Sequence, residues 1–253
     1  VPESQAGGVI TGTVTFAGNP PANPKMLVAK NADYCGAEME IPVLVVNPKN
    51  KGVKWTVVYL EGVTGGPVKE KYELNMGEPG KKCDFVQHVV AMVKNKTLVM
   101  TNTDPILHNP HTFNEKHATV FNVALSEKGQ VNEKKLRTGG VVKLQCDSHV
   151  HMNGWVLSLD HGYFAVTDEN GNFKIADVPP GKYKLVAWHE GWKAKNWNEV
   201  QRSVEEAKAK IKAGQLKPED AQLERPIYED HVVLTKEIEV KEGAEVKVAF
   251  ELK

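Results

Sequence analysis

The stretch GYFAVTDENGNFKIADVPPGKYKLVAWHE, residues 162–190, decides the fold class. GYFAVTD, FKIADV and YKLVAWHE are rich in β-branched and aromatic residues, and ENGN and PPGK part them with the residues that tight turns require. The same grammar extends in both directions. Upstream lie GVVKLQC (140–146), TVFNVAL (119–125), TLVMTN (97–102), HVVAMV (88–93) and KWTVVYLEGV (54–63), the last closed by Gly65 and Gly66. GGVITGTVTFAG (7–18) alternates apolar with small or polar residues until Gly18, Pro20 and Pro21 stop it. Downstream, LTKEIEVKEG and AEVKVAFELK end the chain. Short strands at a spacing of about 8–12 residues indicate an all-β sandwich or barrel. The kinship between the N-terminal and C-terminal strand patterns predicts one sandwich assembled from both ends of the chain.

One segment breaks this rhythm. In NWNEVQRSVEEAKAKI (196–211), Val200, Val204 and Ile211 recur at helical spacing among Ala, Glu, Lys and Gln. This predicts an amphipathic helix near 196–212, ended by Gly214, with Pro218 opening a short turn, PEDAQL. Residues 192–228 read as an insertion between two strands of the C-terminal sheet. Its helix either covers a sheet edge or face or docks a partner.

The chain has 253 residues, enough for one large or two ordinary domains. Lys plus Arg and Asp plus Glu both number 32, so the positive excess that nucleic-acid binding needs is missing. No apolar run approaches the roughly 18 residues of a membrane span, and a soluble chain is expected. The opening VPESQAGG has neither an initiator Met nor an apolar core, and reads as a mature or trimmed terminus. The three cysteines, Cys35, Cys83 and Cys146, are an odd count, which in an exported protein suggests one bridge and one functional thiolate. Three pairings are open. Cys35–Cys83 is favoured, because Cys146 alone sits in a ligand-rich segment.

That segment is LQCDSHVHMNGW (144–155), with Cys146, His149, His151 and Met152. A thiolate, two imidazoles and a thioether in one short loop suit a soft or borderline metal. A strand ending at Cys146 delivers its sulfur at the tip, a tight loop returns His149 to the same point, and the next turn brings Met152 beneath. A fourth ligand must come from elsewhere, and TNTDPILHNPHTF (101–113) places His108 at the end of another strand run. Two His and a Cys with a weak axial Met form the blue-copper set, so copper is the expected cofactor. His88, His111 and His151 are possible additional ligands for copper or a second metal. They could equally face solvent or hydrogen-bond within the fold. GxSxG, Walker, HExxH and CxxCH motifs are absent from the sequence.

NTDPILHNPH together with CDSHVHM resembles the cupredoxins, and most closely those with a short ligand loop, such as the amicyanins. The resemblance covers roughly residues 85–160 and implies a Greek-key β-sandwich. It gives His108 the role of upstream ligand, Cys146 the thiolate, His149 the downstream ligand and Met152 the axial thioether, with Asn109 tying the two ligand segments together. GVITGTVTFAGNPP and TDENGNFKIADVPPGKYKLVAWHE are similar to transthyretin-like or carboxypeptidase-regulatory-like β-sandwiches. The combination resembles exported bacterial proteins of the methylamine-utilisation-type cupredoxin-like group. His151, just before Met152, departs from the aromatic or apolar residue common there.

The expected organisation follows. Residues 1–82 contribute strands to the transthyretin-like sandwich and to the cupredoxin sheet, 83–160 form the copper domain, and 161–253 supply the rest of the second sandwich. Because 85–160 hold too few strands, a strand near 54–63 is expected to complete the copper domain's sheet, or the sandwiches share an edge. The expected function is periplasmic or otherwise exported electron transfer to a redox partner protein, without enzymatic turnover. Copper delivery or storage, or a scaffold role as a subunit of a larger redox complex, are the alternatives.

Overall fold

The computed structural model describes residues 6–78, 81–228 and 230–253. Residues 1–5, the start of the stretch read as a trimmed terminus, lie outside them. Among the described residues the architecture is all-β apart from two α-helices, Ala32–Cys35 and Trp197–Lys212, and one 3₁₀ turn. Its strands form two sandwiches and a small two-stranded hairpin sheet, Lys25–Leu27 with Glu38–Glu40.

One sandwich is built from both ends of the chain. Gly8–Phe16 lies between Asn172–Val178, antiparallel, and Glu245–Leu252, parallel. The facing sheet runs Phe164–Val166, Val57–Leu60, Gly181–His189, Val232–Val240. Alternation along each strand turns Ile10, Val14, Phe173, Ile175, Val58, Leu60, Leu185 and Phe250 into one buried core.

The other sandwich holds the ligand-rich loop. A five-stranded sheet, Val89–Val93, Asn153–Leu159, Gly140–Cys146, Pro110–Phe113, Thr119–Asn122, faces a three-stranded one, Val131–Lys135, Thr97–Asn102, Lys71–Met76. Leu74, Met76, Phe85, Met92, Met100, Leu144 and Val156 fill the space between, with Cys146 and Met152 in the same core. The completing strand is therefore Lys71–Met76, paired in parallel with Thr97–Asn102. The expectation for 54–63 is corrected, since Val57–Leu60 belongs to the first sandwich. Its apolar residues serve two cores, Val58 and Leu60 on one face and Val57 on the other. KYELNM, by contrast, is an edge strand that buries only Leu74 and Met76, too little to stand out by pattern.

A third core joins the sandwiches. Val89, Ala91, Trp155 and Leu157 on the outer face of the ligand-bearing sheet meet Val57, Trp188, Tyr228 and Val200 of the helix Trp197–Lys212. Strands at this joint are buried on both faces, which is why HVVAMV reads as unbroken apolar sequence. The helix covers the joint through Val200, with Ala207 also buried. Its sequence-derived bounds of 196–212 match closely.

Cys35 and Cys83 are disulfide-bonded and Cys146 is free. The bridge closes a loop across 48 residues and ties the helix Ala32–Cys35 to the ligand-bearing sandwich. A chain-entropy argument credits a loop of that size with about 4 kcal/mol.

Candidate metal centre

Cys146 ends the strand Gly140–Cys146, and the chain reverses at once: Met152 N–H donates to His149 O at 3.1 Å, and Cys146 N–H to Met152 O at 3.2 Å. This tight turn lays His149 beside the sulfur. His108 arrives from the other segment, held by paired backbone hydrogen bonds with Leu125. The result is a convergence of ligand atoms: Cys146 Sγ lies 3.7 Å from His149 Nδ1 and 4.0 Å from His108 Nδ1, and all three lie within 4.8 Å of one another. Each of the three residues is buried, and so is the side chain of Met152.

The outer nitrogens are fixed too. His108 Nε2 donates to Asp104 Oδ2 at 2.9 Å, and His149 Nε2 donates to Asn31 Oδ1 at 3.2 Å. These bonds leave both Nδ1 atoms facing the sulfur, and a partner on the far nitrogen is what fixes the ring of a metal-ligating histidine. Burial acts to lower the His108 pKa, but hydrogen bonds to Asp104 and Cys146 outweigh it and raise it to about 9. His149 is pushed down to about 3, by burial first and then by the charge of His108. Without a metal, the pair therefore divides into one cationic and one neutral imidazole.

Asn109 links the two segments. Its backbone N–H donates to Cys146 Sγ at 3.3 Å, its carbonyl accepts from Asp147 N–H at 3.0 Å, and its side chain donates to Val123 O.

The three further histidines are engaged elsewhere. His151 is buried and donates from Nε2 to Cys83 O at 2.8 Å. His111 is half-buried between Asp147 and Thr119. His88 pairs with Glu190 inside the joint between the sandwiches. None of them joins the three converging ligand atoms.

Three residues beyond the sequence-derived set complete the site. Asp104 stands four residues before His108, a spacing legible in TNTDPILH. It also accepts from Cys83 N–H and from the Tyr34 hydroxyl. Asn31 reaches His149 across 118 residues. Arg225, 79 residues beyond Cys146, donates to the carbonyls of the ligand loop. Neither Asn31 nor Arg225 carries a sequence signal.

Residues 159–217 are similar to the family model described as the second β-sandwich domain of BOS complex subunit NOMO1-like proteins. No curated protein matches the chain. Among solved structures, the purple cupredoxin from Nitrosopumilus maritimus is 19% identical, with 34% of this chain and 97% of that chain covered, at a TM-score of 0.30. Amicyanin from Paracoccus versutus is 13% identical, with 40% of this chain and 96% of that chain covered, at a TM-score of 0.30. Oxidised plastocyanin from Dryopteris crassirhizoma is 16% identical, with 34% of this chain and 99% of that chain covered, at a TM-score of 0.31. By its own strand order and His-Cys-His cluster, the chain joins a cupredoxin-like sandwich to a second β-sandwich.

Proposed function

We propose that this chain is an exported copper protein that passes single electrons to and from a partner protein through His108, Cys146, His149 and Met152. The observation that carries the reading is the convergence of two imidazole nitrogens and one sulfur at a buried point, with both outer nitrogens already fixed. The donor types fit copper: a thiolate and thioether are soft, and imidazole suits either oxidation state. Zinc would use the same three ligands but gain nothing from a thioether. Bound there, copper supplies a one-electron couple. The protein's part is to hold its donors still, so that little rearrangement accompanies a change of charge.

Burial of all four side chains favours retention of the metal over delivery, which calls for ligands that a recipient can reach. Asn31 holds the outer nitrogen of His149, which keeps that imidazole from turning away from the sulfur. The Cys35–Cys83 bridge supports an oxidising compartment such as the periplasm.

The test is titration of the metal-free full chain with Cu(II). An intense thiolate-to-copper visible band is expected. It should be absent from Cys146→Ser and unchanged in His117→Ala, since His117 is exposed on a turn. A wild-type chain with no such band would overturn the reading. Prompt loss of bound copper to a mild chelator would favour delivery instead.

A further inference from the structure

The ligand loop has a fixing that comes from outside its own sandwich. Arg225 lies in the insertion beyond its helix, in the irregular stretch after the 3₁₀ turn Pro218–Asp220. Its Nη2 donates to Cys146 O at 2.6 Å. Its Nη1 faces Val150 O at 2.9 Å, Met152 O at 3.1 Å and Asn153 Oδ1 at 3.4 Å. One planar fork thus spans the loop from its thiolate residue to its thioether residue.

Two consequences follow from elementary chemistry. A short loop that curls its ligands inward turns several carbonyls outward, and an unpaired buried carbonyl is costly. The guanidinium, with donors in a rigid plane, satisfies several at once, which a lysine ammonium at the end of a flexible stem cannot do in the same geometry. The second consequence is electrostatic. Among the described residues Arg225 forms no ion pair, so a fixed positive charge faces the centre with carbonyl dipoles as its partners. Such a charge disfavours the more positive oxidation state.

We propose that Arg225 is a positioning residue for the metal centre: it holds the Cys146–Asn153 loop in its ligand-ready shape before metal arrives, and it biases the loaded centre toward the reduced form. The electrostatic half rests on the copper reading above, whereas the loop half does not. On this view the metal site is a joint product of both parts of the chain, because the insertion that carries Arg225 interrupts the sheet of the other sandwich.

The experiment compares the full wild-type chain with Arg225→Gln and Arg225→Lys, using two readouts. The first, on metal-free protein, is the rate at which iodoacetamide alkylates the buried Cys146 with the disulfide intact. Both variants should react at least about tenfold faster, because local opening exposes the thiol. The second is the reduction potential of the copper-loaded protein. Arg225→Gln should fall by about 59 mV or more, a tenfold shift in a one-electron equilibrium. Arg225→Lys, which keeps the charge and loses the fork, should stay near wild type in potential. A wild-type alkylation rate in both variants would overturn the loop role, and an unchanged potential in Arg225→Gln would overturn the electrostatic one. If Arg225→Gln fails to fold, as judged by circular dichroism, Arg225→Lys alone decides the loop role. Addition of guanidinium to a folded Arg225→Gly chain, slowing alkylation again, then replaces the potential arm if it also raises the potential, and overturns that arm if it does not. A wild-type chain without the copper band would sink the copper reading while the alkylation comparison still judged Arg225.

Discussion

His108 and His149 face the same sulfur, but their outer nitrogens meet different chemistry: a carboxylate behind one, an amide oxygen behind the other. A carboxylate makes its imidazole the more basic donor. Gly77 lets Asp104 approach, since a Cβ there would fall 2.2 Å from the carboxyl group and the backbone φ is +79°. Asp104→Asn is expected to weaken metal binding by about 10- to 100-fold, the usual effect of removing such a partner. Chelator competition measures this, with the disulfide checked by peptide mapping because Asp104 also bonds Cys83 N–H. Met152 lies in the core with Cys146, whereas His151 is committed to the Cys83 carbonyl. Met152→Leu should therefore retain copper and raise its potential, because loss of a soft donor destabilises Cu(II) more than Cu(I). His151→Ala should leave the charge-transfer bands nearly in place. A strong spectral shift in His151→Ala alone would make that imidazole, not the thioether, the fourth donor.

At the scale of elements, the helix Trp197–Lys212 and the strand Lys71–Met76 contrast usefully. The helix could be read from spacing because its one deep contact, Val200, lies on a periodic stripe with Val204 and Ile211. The stripe does not say what it packs against, which proves to be the joint between sandwiches rather than a free sheet edge. Val200→Ala removes fully buried carbon from that joint and should cost about 2 kcal/mol in urea denaturation, adding a cavity cost to the lost transfer energy. Val204→Ala, at a half-exposed position, should cost clearly less. Equal losses would mean that the helix packs differently. The strand Lys71–Met76 was illegible for the opposite reason: it lies at a sheet edge with one side in solvent, and its parallel pairing leaves no turn signal next to its partner.

For the whole molecule, the joint packs the two sandwiches together and is lined with titratable groups. His88 pairs with Glu190, which also accepts from Trp155 Nε1. Burial works against the charged form of His88, but Glu190 outweighs it and its pKa is raised. The neighbouring His189 is buried, accepts from Gly191 N–H on Nδ1, and is pushed by burial to about 4. The signs oppose. His88 adds stability below the ordinary histidine value that is lost as pH rises through its raised pKa. His189 adds stability above its ordinary value of 6.5 that is lost as pH falls toward about 4. Acidification from neutrality should therefore lower the melting temperature through the His189 window, and His189→Gln should flatten that slope. An unchanged slope would place the acid-sensitive group elsewhere. What the sequence determined by itself was what short range encodes. Strand periodicity and turn residues marked an all-β chain built from both ends. Cys146, His149 and Met152 fall within seven residues, so one tight turn brings them together. The bridge Cys35–Cys83 is not short-range, and it was legible only because Cys146 was set aside as a ligand. Only the tertiary structure decided which strand closes the ligand-bearing sandwich, that His88, His111 and His151 bond elsewhere, and that Asn31 and Arg225 reach the centre from 118 and 79 residues away. The physical reason is that Arg225 is recognised mainly by backbone carbonyls. Every residue carries one, so no residue pattern announces the contact until docking of the two sandwiches brings the guanidinium to the loop.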